Sequence, residues 1–145
     1  MQLTRYTDYG LRTLIYLALL PKDKRASIDE ISRIYDISRN NVNKIVHQLG
    51  KAGIIETKRG KGGGFLLKRD PAMLNIAEVV LLLENTLQVV ECQSPQCKIL
   101  PACKLKGILG QATQAFLDCL KTYTLADLIE SESNNLIQIL NLESY

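Results

Sequence analysis

The segment from residue 27 to residue 71 constrains the fold most, because it combines two short capped helices with a glycine-rich turn. Ser27 and Glu30 form a capping-box pattern, so a helix is predicted to begin there. Ser38 is a second N-cap, and the helix that follows it is predicted to end at Gly53. Two short helices joined by three or four residues are typical of a helix-turn-helix.

A β-hairpin is predicted directly after these two helices. Residues 54–58 and 65–67 are strand-like, and the basic, glycine-rich stretch 59–64 lies between them. The glycines do not open a helix and lack the G-x4-G-K-[ST] pattern, which argues against a nucleotide-binding loop. The sequence therefore predicts a mainly α fold, a winged helix-turn-helix with a β-hairpin wing.

Further helices are predicted on both sides of this unit. Residues 3–20 and 74–84 have helical patterns, and the second is apolar nearly all round. A long C-terminal helix over about 104–122 carries an apolar stripe that so small a chain cannot cover. Such a stripe typically marks an interface, so we expect a homodimer packed through this dimerisation helix. A short helix over about 125–130 follows, and from Ser131 onward we expect a polar, loose chain.

Charge is distributed unevenly along the chain. Residues 1–70 contain 14 Lys and Arg against 7 Asp and Glu, whereas residues 71–145 contain 4 against 8. The basic first half is predicted to bind a polyanion. No apolar run is long enough for a membrane span, so a cytoplasmic location with reduced cysteines is expected.

The basic surface of the second helix of the motif is the predicted DNA-reading surface. In this geometry the N-terminal residues of that helix contact base edges in the major groove, where Asn pairs with adenine and Arg or Lys with guanine. Wing residues enter a minor groove or bind phosphates, and the first helix offers further backbone contacts. The predicted DNA-contacting residues are Ser38, Arg39, Asn40, Asn41, Asn43, Lys44, Arg59, Lys61, Arg5 and Tyr9.

Three of the four cysteines, Cys92, Cys97 and Cys103, fall within twelve positions. Clustered thiolates select zinc, copper(I) or iron–sulfur centres, and the paired C-x2-C knuckles of zinc ribbons are absent. A disulfide is the alternative for this loop. Three thiolates leave a four-coordinate site one ligand short. Cys119 is expected to be an inert buried thiol, and the single histidine, His47, a surface or partly buried structural residue.

The chain also contains several specific motifs: Met1-Gln-Leu-Thr4, Thr7-Asp-Tyr-Gly-Leu-Arg12, Arg59-Gly-Lys61, Pro101-Ala-Cys103 and Tyr123-Thr-Leu-Ala-Asp-Leu128. In this order, with the winged helix and the cysteine loop, they resemble the bacterial winged-helix iron–sulfur transcriptional repressors. Among these, the chain is most similar to the nitric-oxide-sensitive members. The resemblance extends over almost the whole chain.

This resemblance implies an iron–sulfur cluster held by the three loop cysteines, with Asp8 of the partner subunit as the fourth ligand. Some family members place a histidine ligand where this chain has Lys106, and others place a ligand where it has Arg12. Both departures favour a site of three cysteines and one aspartate with a 4Fe–4S cluster. A 2Fe–2S cluster is the alternative.

The function implied by the resemblance is that of a repressor that senses nitric oxide and releases palindromic operator DNA when its cluster is nitrosylated. Residues 1–72 would form the DNA-binding region, and residues 73–145 would contain the cluster-binding loop, at about 91–104, and the dimerisation helix. One alternative is an iron–sulfur or redox-responsive regulator of cluster assembly or oxidative stress genes, and another is a thiol-based repressor without metal. An enzyme is not expected, because no polar catalytic constellation accompanies the cysteines.

Overall fold

Six α-helices and one antiparallel pair of strands build residues 1–142, the part of the chain that the computed structural model describes. Residues 143–145, the end of the predicted 73–145 region, lie outside the described residues. The order is α1 (Arg5–Leu19), α2 (Ile28–Tyr35), α3 (Arg39–Lys51), β1 (Ile55–Lys58), β2 (Gly64–Leu67), α4 (Ile76–Leu83), α5 (Lys104–Leu120) and α6 (Ser133–Ile139). Single turns of 3-10 helix lie at Pro71–Met73, Leu100–Ala102 and Ala126–Leu128.

The caps predicted for the two helices of the motif are confirmed. The Ser27 hydroxyl accepts from the Glu30 N–H at 3.1 Å, and the Glu30 carboxylate accepts from the Ser27 N–H at 3.3 Å. The Ser38 hydroxyl accepts from the Asn41 N–H at 3.2 Å, so α3 begins at the next residue. Gly53 follows α3 with a φ of 71°, a left-handed conformation that glycine adopts without a steric penalty.

The wing is fastened to the segment that precedes α2. Phe65 exchanges two backbone hydrogen bonds with Ala26, at 2.8 and 2.9 Å. Gly64 makes this approach possible, since its φ is 130° and a Cβ atom there would lie 2.4 Å from the Ala26 carbonyl oxygen. Strands β1 and β2 pair with Ile55 opposite Leu67.

Helix α1 lies at the centre of the core. Its residues Leu14 and Tyr16 are fully buried, and the helix contacts α3, α4, β2 and α6. Gly10 lets α4 approach closely, since a Cβ atom there would lie 2.2 Å from Leu83 Cδ1. The predicted fold class, a mainly α winged helix-turn-helix with a long C-terminal helix, is confirmed. No helix in the described range 1–142 has the length and apolar character needed to cross a membrane.

Two predictions about the C-terminal part are wrong. The segment after Ser131 is not loose, because it forms α6, and Ile137 of this helix and Leu140 directly after it pack against the core. Leu142, just beyond, is buried. The predicted helix over about 125–130 is only a single 3-10 turn, Ala126–Leu128. Leu125, directly before this turn, is buried, and its N–H donates to the Leu74 carbonyl.

Cys119 is also exposed, contrary to the prediction of a buried thiol. Helix α5 buries none of its residues within the described chain. Phe116 and Leu120 face the core, whereas Leu105 and Ile108 are more than half exposed. The predicted uncovered apolar stripe is therefore confirmed, while the homodimer stays a prediction.

Candidate DNA interface and cysteine loop

Helix α3 separates an apolar face from a polar face. Val42, Ile45 and Leu49 are fully buried beneath it. The predicted DNA-contacting residues of α3 that are exposed on the other face are Arg39, Asn40, Asn43 and Lys44, preceded by the exposed cap Ser38. Asn41 is half-buried, and its backbone N–H is used by the cap.

A groove of about 440 Å³, here called the wing groove, separates α3 from the hairpin. Arg39, Asn43 and His47 line its helix side, and Lys58 and Arg59 line its wing side. The structure thus places Arg59 across a groove from α3. Lys61 is exposed in the turn between the strands.

A second groove, of about 810 Å³, lies on the other side of α3 against α1. Lys44, His47 and Lys51 line it from α3, and Tyr6 lines it from α1. Sequence reasoning assigned no DNA contact to Tyr6, His47 or Lys51. Residues 43, 47 and 51 lie four positions apart, so helical periodicity extends the Asn43 face along α3 and would have included His47 and Lys51.

The first helix presents its predicted contact residues differently. Arg5 is exposed at the start of α1, whereas Tyr9 is half-buried and packs against the core. Tyr6 instead reaches α3, where its hydroxyl donates to Gln48 Oε1 at 2.7 Å, and burial raises the pKa of Tyr6. The Gln48 amide nitrogen donates to the Leu82 carbonyl at 2.7 Å, which ties α1, α3 and α4 together.

The cysteine loop, residues 91–104, folds as successive turns between α4 and α5. The Cys97 N–H donates to the Cys92 carbonyl at 3.0 Å, and the Cys103 N–H donates to the Leu100 carbonyl at 3.4 Å. The Glu91 carboxylate accepts from the N–H groups of Gln93 and Ser94, and these bonds lower its pKa. All four cysteines are free thiols in this structure, so the loop does not contain the disulfide considered as an alternative.

The donor chemistry of this loop fits an iron–sulfur cluster. Cys92 is buried, Cys97 and Cys103 are half-buried, and Cys103 is the N-cap of the long helix α5. The N-terminus of α5 carries partial positive charge, so it suits an anionic cluster held by thiolates. No group of three or more His, Cys, Asp or Glu side chains within residues 1–142 converges on a single metal ion.

Asp8 lies in the first turn of α1 and pairs with Arg12 one turn later. Arg12 Nε donates to one carboxylate oxygen at 3.0 Å, and Arg12 Nη2 contacts the other at 2.8 Å. The structure does not bring Asp8 into a common metal-binding group with the cysteines of its own chain. The Asp8 carboxylate is thus already paired within its own helix, although 43% of the side chain is exposed.

Glu84 connects the start of α1 to the segment that leads into the cysteine loop. Its carboxylate accepts from the Thr4 N–H at 3.1 Å, the Thr4 hydroxyl at 3.1 Å and the Thr7 hydroxyl at 2.5 Å. Thr7 is fully buried. The sequence alone did not predict this hydrogen bond, because Thr7 and Glu84 are 77 positions apart and no local pattern connects them.

Comparison with known proteins identifies relatives along almost the whole chain. The profile of the Rrf2 family, described as iron-dependent transcriptional regulator, matches residues 3–131. The HTH-type transcriptional regulator NsrR of Shouchella clausii is 47% identical over 137 residues, which are 92% of each chain. NsrR of Halalkalibacterium halodurans is 47% identical over 135 residues, 91% of this chain and 92% of the relative.

Solved structures share the fold at lower sequence identity. IscR of T. potens has a TM-score of 0.72 at 21% identity, and the match covers 90% of this chain and 88% of that one. CymR, the global cysteine regulator of B. subtilis, has a TM-score of 0.70 at 22% identity, with coverage of 90% and 98%. These likenesses establish the fold.

Proposed function

The chain belongs to the Rrf2 family of transcriptional regulators, which are not enzymes, and we propose that it is a repressor that senses nitric oxide through an iron–sulfur cluster. The observation that carries this proposal is the set of three free thiols in one short loop, in a chain whose curated relatives are named NsrR. We propose that the repressor binds a palindromic operator as a homodimer and releases it when the cluster is nitrosylated.

The DNA contacts follow from the polar face of α3. The N-terminal half of α3 would enter the major groove, with Asn side chains directed at adenine and Arg39 or Lys44 at guanine. Arg59 and Lys61 of the wing would contact a minor groove or phosphates, and Arg5 would add a backbone contact. Tyr9 contributes less to this surface, since it packs against the core.

The ligand set consists of three thiolates and one carboxylate. Cys92, Cys97 and Cys103 would hold three irons of a 4Fe–4S cluster, and Asp8 of the partner subunit the fourth. When bound, the cluster supplies iron atoms that react with nitric oxide. A carboxylate is a harder ligand than a thiolate and suits iron in such a cluster less well, so a bond to Asp8 would be the most labile of the four. Counting iron and sulfide per chain distinguishes this cluster from the 2Fe–2S alternative.

Coupling between the cluster and the DNA surface would pass through α1. In this structure Arg12 binds both carboxylate oxygens of Asp8, so a cluster that used Asp8 as a ligand would compete with Arg12 for them. Glu84 fixes the same turn of α1 to the end of α4. A change in the partner of Asp8 therefore acts on the helix that packs against α3. A tenfold change in operator affinity needs only about 1.4 kcal/mol of such coupling.

The test begins with oxygen-free purification and analysis of iron and sulfide. A palindromic duplex selected by the wild-type protein from a randomised library then serves as the probe in fluorescence anisotropy. We expect tight binding by the iron-loaded protein and at least about tenfold weaker binding after nitric oxide is added. Equal operator affinity of iron-free and iron-loaded protein would remove the sensing proposal.

Two cysteine variants separate the cluster from general thiol chemistry. Cys97→Ala is expected to lose the cluster and the response to nitric oxide. Cys119→Ser is the matched control, because Cys119 is exposed on α5 outside the loop, and it should keep both. Oxygen or peroxide as the effective signal, with no response to nitric oxide, would favour the redox-responsive alternative. A thiol response without iron would favour the metal-free one.

The homodimer is tested separately. Ile108→Glu puts a charge on the exposed apolar stripe of α5 and is expected to give a monomer in light scattering. Ile139→Glu is the matched control, since this α6 side chain is also mostly exposed and lies off that stripe. Equal dimerisation by the two variants would contradict an interface on α5.

A further inference from the structure

Arg39, the first residue of α3, is held by Asp29 of α2. Nη1 of Arg39 donates to Asp29 Oδ1 in a direct ion pair. The two side chains are 68% and 66% exposed, and a pair so exposed contributes little to folding stability. The main effect of this pair is therefore to fix the position of the Arg39 guanidinium.

The location of the pair explains why a carboxylate is required there. The N-terminus of a helix carries partial positive charge, so a cation at its first position is disfavoured. The first turn of α3 contains no acidic residue that would offset this. Asp29, in the first turn of α2, supplies that charge. It is the only acidic side chain among the described residues that line the wing groove, where Lys58 and Arg59 are also found.

The geometry leaves Arg39 able to recognise a base. Arginine carries five N–H donors, and Asp29 accepts from Nη1 alone. The other donors of Arg39 have no protein partner in the described part of the chain, so the edge formed by Nε and Nη2 is free. Guanine presents two acceptors, O6 and N7, to such an edge in the major groove. A guanidinium fixed beforehand loses less conformational entropy when it binds.

We propose that Asp29 is a specificity-determining residue that acts by positioning Arg39. It directs the free edge of Arg39 toward one guanine, and its own negative charge disfavours capture of Arg39 by a phosphate. The inference rests on the proposed reading of DNA by α3, and it adds a residue of α2 that touches no base itself.

The experiment compares base preferences as well as affinities. Wild type, Asp29→Asn, Arg39→Gln and the double variant each select duplexes from the same randomised library, and their affinities for the wild-type operator and for poly(dI-dC) are measured. We expect Asp29→Asn to lose the guanine preference at one position per half-site. The ratio of specific to non-specific affinity should fall about tenfold. Asp29→Asn should have no further effect in the Arg39→Gln background.

Glu56→Gln is the matched control, since it removes one negative charge and one ion pair, with Arg25, while leaving Arg39 untouched. It should retain the guanine preference. Circular dichroism and thermal unfolding of Asp29→Asn should match wild type, because the Ser27–Glu30 capping box is preserved. An unchanged base preference in Asp29→Asn, or an effect that persists without Arg39, overturns the inference. Failure of wild-type protein to select any duplex instead refutes the proposed DNA reading.

Discussion

Thr7→Val is expected to destabilise the chain by removing one buried hydroxyl, which bonds to Glu84 and also lies 3.2 Å from the Thr4 hydroxyl. The fully buried Thr7 hydroxyl donates to the Glu84 carboxylate at 2.5 Å and fixes the first turn of α1 to the end of α4. Valine has nearly the same shape, so the substitution removes the donor without opening a cavity. The effect then reports the bond between the two helices and not a change in packing.

The magnitude follows from the surroundings of Glu84. A hydrogen bond to a charged group contributes roughly 1.5–3 kcal/mol. Glu84 is half-buried and keeps its bonds to Thr4, so its carboxylate is not left without partners. The lower end applies, and we expect a loss of about 1.5 kcal/mol. For a chain of this size that corresponds to a decrease in Tm of about 3–6 °C.

Urea unfolding of the iron-free protein measures this difference, and Thr13→Val is the matched control. Thr13 is equally buried on the same helix, but its hydroxyl donates at 2.8 Å to the Tyr9 carbonyl of α1 itself. Removing that hydroxyl takes no hydrogen bond from a carboxylate, so we expect the free energy of unfolding to change by less than about 0.5 kcal/mol. If the two variants lose the same stability, the reasoning about Thr7 and Glu84 is refuted.

Three further perturbations test the packing and the electrostatics. Gly64→Ala forces a Cβ atom against the Ala26 carbonyl at a positive φ, so we expect the free energy of unfolding to fall by about 2 kcal/mol. The displaced wing should also weaken operator binding, measured by fluorescence anisotropy. Gly10→Ala places a Cβ atom against the buried Leu83 Cδ1, which should cost about 1–3 kcal/mol in the free energy of unfolding. This cost should exceed the gain in helix propensity of about 1 kcal/mol, so urea unfolding should show a less stable protein. Burial raises the pKa of Tyr35 from 10.0 to about 12, so the stability it adds is complete below pH 10 and is lost as pH rises from there toward 12. Urea unfolding measured below and above pH 10 should show that Tyr35→Phe loses less stability at alkaline pH than the wild type does.

The helix-turn-helix could be predicted in detail because its determinants are local. The capping box of Ser27 and Glu30, the cap at Ser38 and the terminating Gly53 each depend on residues within four positions. Helical periodicity likewise predicted the polar face of α3. The same reasoning underestimated α6, where Ile137 and Leu140 already had helical spacing but lay among polar residues.

Interactions between distant segments could not be predicted in this way. The Asp29–Arg39 pair joins two helices, and the Thr7–Glu84 bond joins residues 77 positions apart. Cys119 was misplaced for a related reason. An apolar helix predicts that one face is covered, but the sequence does not reveal which residues the rest of the chain covers.

Three consecutive residues in the first turn of α1 face three different partners. Tyr6 donates to Gln48 of α3, Thr7 donates to Glu84 at the end of α4, and Asp8 pairs with Arg12 along α1 itself. Successive side chains on a helix point about 100° apart, so this spread is a direct consequence of helical geometry. If the turn moves as a unit, a change in the partner of Asp8 would shift the Tyr6 contact with α3. Under the proposed function, residues that bind no iron and touch no base would then form part of the path between the cluster and the operator.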